Sequence, residues 1–338
     1  MTTGTPPTPP PDFSTDLGDA DLTARVAQGM GEVEDLLLAR LSQGEDFIVD
    51  KVTHLVQAGG KRFRPLVALL CSEFGPHPGT EDVVKAAAIT EMVHLATLYH
   101  DDVMDEAAKR RGVDSANQRW GNTVAILAGD ILFAHASRLM GEIDTDTVRH
   151  FADTFAELVT GQMRETVGPR GGDRVEHYLT VIGEKTGVLI ASSAYFGARL
   201  AGADEETTQR CEKIGRAIGM VFQIVDDIID IFSTSRESGK VPGTDLREGV
   251  FTLPVLYALE EDSPVGEELR GLLTGPLTSD EEVEHALRLI AETDGRQRAI
   301  GDVHRYLAVV ERELDQLPDC PANRALRQLS QLTVQRVG

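Results

Sequence analysis

The chain contains few cysteines, and too few basic residues to balance its acids. Cys71, Cys211 and Cys320 are far apart and show no CxxC spacing, which argues against a zinc site or a disulfide framework and favours a reducing compartment. Lys and Arg number 33 against 55 Asp and Glu, so the net charge of -22 would repel nucleic acid and anionic membranes. We therefore expect a cytoplasmic protein with no nucleic-acid partner.

Long apolar runs are also missing, and strand-like alternation of apolar and polar residues is nearly absent. No apolar run approaches the ~18 residues of a membrane-spanning helix, so no transmembrane segment is expected. Residues 1–18 are rich in Pro and Thr and lack the basic and apolar regions of a signal peptide, so we expect a disordered leader there. Residues 19–338 contain no long polar linker and are predicted to form a single domain.

Most of the sequence beyond the leader shows the periodicity of α-helices. Apolar residues at 48, 52, 55 and 56 follow the i, i+4, i+7, i+8 spacing of one buried helix face. Loops rich in Gly, Pro, Ser and Asp separate the helical segments. These observations predict an all-α fold, a single large helical bundle. The other predicted helical stretches are 80–100, 115–140, 144–166, 173–200, 204–232, 248–260, 279–314 and 319–336.

Two D-D-x-x-D clusters interrupt otherwise apolar helical sequence, in "HDDVMD" and "VDDIID". The first and last acids of such a cluster share one helix face, and buried carboxylates at this spacing need a cation. Mg²⁺ takes one or two carboxylates and keeps its other positions for water and substrate phosphates. A single cluster would be interpreted as a solvated face, but two in apolar surroundings indicate a cavity wall. The predicted metal ligands are Asp101, Asp102, Asp105, Asp226, Asp227 and Asp230.

Basic residues accompany both acidic clusters. Arg62 and Lys109 are interpreted as ordinary surface residues, but the other cations indicate a polyanion, because a guanidinium fork suits phosphate. Acids for a metal, bases for phosphate and an apolar interior together describe an isoprenoid diphosphate substrate. The remaining basic candidates are Lys61, Arg64, Arg110, Arg111, Lys185 and Lys240.

At these residues the sequence resembles the trans-isoprenyl diphosphate synthases, the polyprenyl synthetase family. "HDDVMDEAAKRRG" and "FQIVDDIID" match its two aspartate-rich motifs, and "GGKRFRP", "EMVH", "GQM", "KTG" and "GTDLREGVFTLP" follow the family order and spacing. The resemblance is strong over about 55–258. It implies an isoprenoid-synthase bundle around a central cavity. It also implies a homodimer that adds isopentenyl diphosphate to an allylic diphosphate with several Mg²⁺ ions, three with substrate bound.

The resemblance also implies roles for individual residues. Isopentenyl diphosphate would be bound by Gly60, Lys61, Arg64, His94 and Arg111. The allylic diphosphate would be bound by Arg110, Gln162, Lys185 and Lys240. Lys185, Thr186, Gln223 and Lys240 would serve the reaction itself, in which pyrophosphate leaves, the isopentenyl double bond attacks the allylic cation and a proton is lost. The segment 233–245 is a candidate lid.

Product length depends on the helix turn before the first acidic cluster. The family places bulky aromatics there in short-chain enzymes, whereas this chain has Ala96 and Thr97. We therefore predict a long-chain product of C30 or more, of the kind used for quinone side chains, whose release could involve transient membrane contact. The alternative is a C15–C20 product, with Phe133 or Met140 closing the tunnel.

Three further alternatives and one departure from the family remain. A regulatory subunit would typically lose aspartates, and a terpene cyclase would need no second diphosphate site. A four-helix carboxylate protein would need more than the single E-x-x-H of "EMVH". Val250 stands where family members often carry a lysine, which could weaken allylic diphosphate binding unless Arg247 offsets it.

Overall fold

A computed structural model describes residues 16–232 and 242–335. The first 15 residues of the predicted leader, Lys240 and most of the predicted lid lie outside these described residues. Leu17 is only 6% exposed and packs into the core, and its N–H donates to Thr23 Oγ1 at 3.1 Å. The packed domain therefore begins before residue 19, where the sequence placed its start.

Helices make up nearly all of the described architecture, as the all-α prediction requires. The only strands in the described ranges are two of two residues each, β1 (Lys109–Arg110) and β2 (Val113–Asp114), which pair as an antiparallel hairpin. A π-helix, Gly183–Gly187, joins α9 to α10. The α-helices are α1 (Ala20–Leu41), α2 (Asp46–Val52), α3 (His54–Gln57), α4 (Phe63–Ser72), α5 (Glu81–Met104), α6 (Ala116–Trp120), α7 (Asn122–Gly141), α8 (Thr145–Val167), α9 (Arg174–Ile182), α10 (Val188–Leu200), α11 (Glu205–Phe232), α12 (Thr244–Glu248), α13 (Leu253–Glu260), α14 (Pro264–Leu272), α15 (Asp280–Ala291), α16 (Gly295–Leu314) and α17 (Pro321–Val334).

Local sequence signals explain where the helices begin and end. Thr80 caps α5 by accepting from the N–H of Val83, and a capping box between Ser279 and Glu282 starts α15 at the beginning of the predicted stretch 279–314. The predicted segment 115–140 is divided instead into α6 and α7. Gly121 separates them with a φ of 87°, a conformation that costs glycine little.

The core lies between α5, α10 and α11. α5 packs along α7 and α4, while α10 lies against α11, α4 and α5. α10 and α11 can approach closely because Gly215 has no Cβ. A Cβ there would lie 2.6 Å from the carbonyl oxygen of Ile190. The two aspartate motifs lie near the C-terminal ends of α5 and α11.

One described helix, α7, is long and apolar enough by length and composition to cross a membrane, although the sequence analysis expected none. The difference arises because polar residues are dispersed along it and break the apolar run. α7 carries Asp130 and Arg138, while Ala125, Ala128 and Leu132 are buried. Its packing along α5 is that of a helix in a bundle.

Candidate active site

A cavity of about 930 Å³ opens between α4, α5, α7, α8, the π-helix and α11. Its two chemical regions are a charged mouth and an apolar body, which is the combination that the sequence predicted. Most of the predicted site residues reach it. Those lining the cavity are Gly60, Lys61, Arg64, His94, Thr97, Asp101, Arg110, Arg111, Gln162, Lys185, Thr186, Gln223 and Asp226.

In the first aspartate motif, Asp101 lines the cavity, whereas Asp102 is buried beside it. Burial, reinforced by the negative charge of Asp105, raises the pKa of Asp101 to about 6 against the opposing charges of Lys185 and Arg110. Asp102 is fully buried, and its Oδ1 accepts from Arg110 Nε at 2.7 Å and Nη2 at 2.6 Å. Its Oδ2 is buried without a hydrogen-bond partner among the described residues.

The β1–β2 hairpin explains how Arg110 reaches Asp102. Arg111 and Gly112 form its turn with φ values of 54° and 79°, the positive pair required by a type I′ turn. Arg111 is thereby directed to the backbone, where its Nη1 donates to the carbonyl oxygens of Leu55, at 2.9 Å, and Gly59. Strands of two residues are too short to show alternation of apolar and polar residues, so no periodic pattern predicts this hairpin.

The second aspartate motif is linked to the predicted reacting centre by a chain of hydrogen bonds. Thr186 Oγ1 donates to Gln223 Oε1 at 3.2 Å, and Gln223 Nε2 donates to Asp227 Oδ1 at 3.0 Å. Asp230 Oδ2 accepts from the backbone N–H of Asp245 at 3.2 Å, at the start of α12. Three residues predicted separately from the sequence are therefore consecutive links in one network.

The π-helix brings Lys185 and Thr186 to the cavity. Isolated π-turns are frequent at functional sites. Here the turn packs on α8, where a Cβ on Gly161 would lie 2.7 Å from the Lys185 backbone nitrogen, so glycine is required for this approach. Lys185 Nζ lies 2.5 Å from Glu165 Oε2, and Gln162 Nε2 donates to the same oxygen at 3.2 Å. Glu165 was missed by the sequence analysis because its partners come from another turn and another element.

The interpretation of Arg62 as an ordinary surface residue is wrong. It is only 10% exposed and pairs with Glu34 at 2.9 Å and with Glu91 at 3.1 Å. Burial would lower the pKa of Arg62, but the hydrogen bond that it donates to Glu34 and the charge of Glu91 raise it. Arg111 Nη2 also lies 3.6 Å from Glu91 Oε1. The sequence could not distinguish this residue from a surface cation, because both carboxylates come from distant helices.

Arg64 and His94 complete the cationic region around Glu91. Burial lowers the pKa of Arg64 to about 10 although Glu91 opposes the shift. Its Nε is buried and has no hydrogen-bond partner among the described residues. Burial, followed by the charges of Arg64 and Arg111, lowers the pKa of His94 well below its usual value, so its imidazole is neutral at pH 7.

The two residues predicted to set product length occupy different environments. Thr97 lines the cavity and its Oγ1 donates to the His94 carbonyl oxygen at 2.8 Å, whereas Ala96 is fully buried in the core and does not line it. Further along the apolar body, the Phe133 and Phe155 rings meet edge to face with centroids 4.6 Å apart. Phe133 therefore lines the cavity, while Met140 belongs to the core.

The carboxylates form no complete metal site by themselves. Within residues 16–232 and 242–335, no group of three His, Cys, Asp or Glu side chains is close enough to hold an ion. Glu248 was not among the predicted site residues, and its pKa is raised by burial and by the charges of Asp105 and Asp230. This carboxylate therefore lies within the electrostatic reach of both aspartate motifs. Such a dispersed set fits a cation that also takes ligands from a bound phosphate.

The Polyprenyl synthetase family model matches residues 45–290. The chain is 52% identical over 324 residues to a nonaprenyl diphosphate synthase of Mycobacterium tuberculosis, covering 96% of this chain and 97% of that protein. It is 45% identical over 314 residues to a dimethylallyltranstransferase of the same organism, covering 93% and 95%.

A solved structure also matches over nearly the whole chain. The geranylgeranyl pyrophosphate synthase of Corynebacterium glutamicum, complexed with calcium and isoprenyl diphosphate, is 62% identical with a TM-score of 0.89, covering 96% of this chain and 100% of that chain. The resemblance read from the motifs and the predicted all-α bundle are both confirmed. The chain belongs to the polyprenyl synthetase family.

Proposed function

We propose that the protein is a trans-polyprenyl diphosphate synthase that adds isopentenyl diphosphate units to an allylic diphosphate. One observation carries the proposal: a single cavity is lined by guanidinium groups, by aspartates from both motifs and by apolar side chains. Two diphosphate heads and a growing hydrocarbon tail are the ligands that this combination fits. A regulatory subunit needs neither intact acidic motif, and a terpene cyclase needs only one diphosphate site.

The arginine-rich part of the mouth is proposed to bind isopentenyl diphosphate. Arg64 and Arg111 supply planar donors for the phosphate oxygens, with Lys61 and the backbone at Gly60 beside them. A Cβ on Gly60 would lie 2.8 Å from the Arg111 guanidinium carbon, so glycine is needed at this position. His94 is neutral and contributes a hydrogen-bonding nitrogen without adding charge.

The aspartate-lined part is proposed to bind the allylic diphosphate together with Arg110, Lys185 and Gln162. A divalent ion fits the chemistry of these donors, because Asp102 Oδ2 is a buried oxygen without a partner among the described residues. Mg²⁺, held by the six predicted aspartates, would supply the charge that stabilises departing pyrophosphate. Residues on both motifs, α5 and α11, would then contribute to one head-group site.

The protein's own groups are proposed to stabilise the reacting carbons. The hydroxyl of Thr186 and the amide oxygen of Gln223 lie at the cavity wall, where their dipoles favour a developing positive charge. Lys185 and Arg110 would hold the leaving pyrophosphate, which can take up the proton that is finally lost. Leu189 and Phe222 keep the neighbouring surface apolar and restrict water.

We propose a long-chain product of C30 or more. Thr97 is small and lines the cavity below the aspartates, so no aromatic ring blocks the first turn of the α5 wall. The relative named nonaprenyl diphosphate synthase supports this length. A C20 product is the second candidate, supported by the geranylgeranyl pyrophosphate synthase at 62% identity and by the Phe133–Phe155 pair across the cavity.

Product sizing decides between these lengths. The purified protein is incubated with Mg²⁺, isopentenyl diphosphate and a C10, C15 or C20 primer, and the products are separated by length. We expect products of C30 or longer; products that stop at C20 would support the second candidate, and no elongation with any primer would reject the function. Omitting Mg²⁺ and adding EDTA should abolish elongation.

The wall position itself is tested with Thr97→Phe, which places a ring into the cavity and should shorten the product. Thr97→Ser is the matched control because it keeps a small hydroxyl side chain. Ala96→Phe is a poorer test, since overpacking this fully buried residue costs ~1–3 kcal/mol of stability before any effect on the tunnel. Products of unchanged length from Thr97→Phe would show that another wall sets the limit.

A homodimer is proposed on the apolar surface of α7 and α8. Several large apolar side chains are exposed there, and Ile126, Val159 and Met163 among them also line the cavity. A second copy covering this face would also enclose the apolar body. We propose a cytoplasmic location, with transient membrane contact at product release. The exposed apolar residues are Ile126, Leu127, Val148, Val159, Met163 and Val167.

A further inference from the structure

Glu91 is a buried carboxylate within the proposed isopentenyl diphosphate site. Its side chain is 2% exposed, and it lines the cavity on α5 ten residues before Asp101. Two guanidinium groups meet at its Oε1: Arg62 Nη1 at 3.1 Å and Arg111 Nη2 at 3.6 Å. An acid in this position repels a bound diphosphate, so its presence there requires a compensating contribution.

The two arginines that meet at Glu91 are held in unfavourable backbone conformations. Arg62 has a φ of 47° and Arg111 a φ of 54°, both in the left-handed region. This conformation costs a residue with a Cβ about 1–2 kcal/mol. Such strain persists where the surroundings fix the residue, and a shared carboxylate supplies that constraint. Three residues distant in the sequence are therefore fixed together.

The arginines also differ in whether the protein's own carboxylates and carbonyl groups already bind them. Arg62 is occupied by Glu34 and Glu91 and by the carbonyl oxygens of Gly59 and Val56. Arg64 forms no ion pair with another described residue, and its Nε has no hydrogen-bond partner among them. Its pKa is lowered by burial and by Arg111, while the negative charge of Glu91 opposes the shift. The negative charge of Glu91 thus offsets the repulsion between these neighbouring arginines before any ligand binds.

We propose that Glu91 is a positioning residue that holds Arg62 and Arg111 in place, so that Arg111 and Arg64 converge on the diphosphate of isopentenyl diphosphate. The assignment rests on the proposed function for the identity of that ligand. Glu91 acts through the arginines and does not contact the reacting atoms. Its loss should therefore weaken the binding of one substrate and leave that of the other.

Steady-state kinetics of Glu91→Gln tests the assignment, because the substitution keeps the side-chain volume and removes the charge. We expect KM for isopentenyl diphosphate to rise on the order of 10–100-fold, as for the loss of a charge-assisted interaction, with KM for the allylic primer changing less than about threefold. Glu91→Asp should recover part of this loss. Tighter isopentenyl diphosphate binding would mean that Glu91 only repels the ligand. Equal weakening for both substrates would mean a purely structural role; either result overturns the proposal.

Glu34→Gln is the matched control. Glu34 also pairs with Arg62, but it is 39% exposed and makes no ion pair with Arg111. KM for isopentenyl diphosphate should stay within about threefold of the wild-type value, since exposed pairs contribute ~0–1 kcal/mol. A rise as large as that of Glu91→Gln would show that holding Arg62 alone is sufficient and would refute the role assigned to Glu91.

Calorimetric titration with inorganic pyrophosphate in EDTA separates this proposal from the proposed function. Wild-type protein should bind pyrophosphate without metal, and Glu91→Gln should bind it at least tenfold more weakly. A wild-type protein that binds pyrophosphate but elongates no primer would reject the function and leave this comparison valid. If Glu91→Gln does not fold, Glu91→Met with Arg62→Met replaces the buried pair by apolar side chains. Weakened pyrophosphate binding is again expected because Arg111 loses its carboxylate, and unchanged affinity overturns the proposal.

Discussion

The two aspartate motifs have the same sequence pattern but different supporting contacts. On α5, the middle acid Asp102 accepts from the guanidinium of Arg110, which reaches it from a hairpin eight residues later. On α11, the middle acid Asp227 accepts from the amide of Gln223 on the preceding turn of the same helix. Among the contacts described, one middle acid thus accepts from a charged group of another element, and the other accepts from an amide of its own helix.

The third acids differ in the same way. Asp230 accepts from the backbone N–H of Asp245 and its own carbonyl oxygen accepts from the N–H of Gly243, which attaches α11 to the start of α12. Asp105 instead ends α5, with its N–H donating to the Asp101 carbonyl oxygen. The first motif thus depends on its hairpin and the second on the segment that follows it.

Removing the first acid of either motif should have the largest effect on kcat, and the effect should be similar for the two motifs. Asp101→Ala and Asp226→Ala are each expected to lower kcat on the order of 10³-fold, because each loses a carboxylate proposed to hold the metal. Single-turnover rates measure this directly. Asp262→Asn, an exposed acid on a distant loop, is the control. If only one motif proves sensitive, the other is a structural helix face.

Stability measurements should sharpen the comparison of the middle acids. Arg110→Gln leaves the buried Asp102 without its cation and should lower the free energy of unfolding by ~2–3 kcal/mol. This is less than the 3–5 kcal/mol typical of a broken buried pair, because Arg110 is 32% exposed. Gln223→Ala removes a neutral hydrogen bond worth ~1 kcal/mol. Urea unfolding compares the two variants, and equal losses would contradict the distinction between charged and neutral partners.

The pH dependence of stability should report on the first acid of the α5 motif. The folded-state pKa of Asp101, about 6, lies above its usual value of 3.8, so the folded protein binds this proton more tightly than the unfolded chain. Its contribution to stability is therefore present below pH 4 and is lost as pH rises to about 6. In EDTA, the difference in unfolding free energy between wild type and Asp101→Asn should vary over this window. The corresponding difference for Asp262→Asn should stay flat, and a flat difference for Asp101→Asn would exclude the raised pKa.

The smallest effect is expected at Val250, near the second motif. Val250 is 41% exposed, and its N–H donates to the Asp245 carbonyl oxygen at 2.8 Å. Val250→Lys adds a cation where many family members carry one and should lower KM for the allylic primer about two- to fivefold, the scale of a partly exposed charge interaction. Val250→Leu is the uncharged control. An equal response of both variants would show that the added charge has no part in binding.

Sequence reasoning succeeded where a feature depends on local spacing. The helical segments are encoded by spacing within a few residues, and the structure confirms the all-α bundle. The leading acids of the two aspartate motifs, Asp101 and Asp226, both line the cavity. Sequence reasoning failed where partners come from distant elements. Glu91 was considered only as part of an E-x-x-H pattern, and Arg62 was assigned to the surface, because neither gives a local signal of burial. Ala96 and Thr97 are adjacent, yet only their packing reveals which one lines the cavity.

The β1–β2 hairpin connects the two proposed head-group sites. Arg110 pairs with an acid of the aspartate-lined side, and its neighbour Arg111 pairs with Glu91 on the other side. Consecutive Cα atoms across a trans peptide are ~3.8 Å apart, and this distance hardly varies. A single peptide bond in a tight turn therefore keeps the Cα atoms of Arg110 and Arg111 at a constant distance. In the proposed function, this bond would keep the two diphosphate sites at a set distance even though their other proposed ligands come from separate helices.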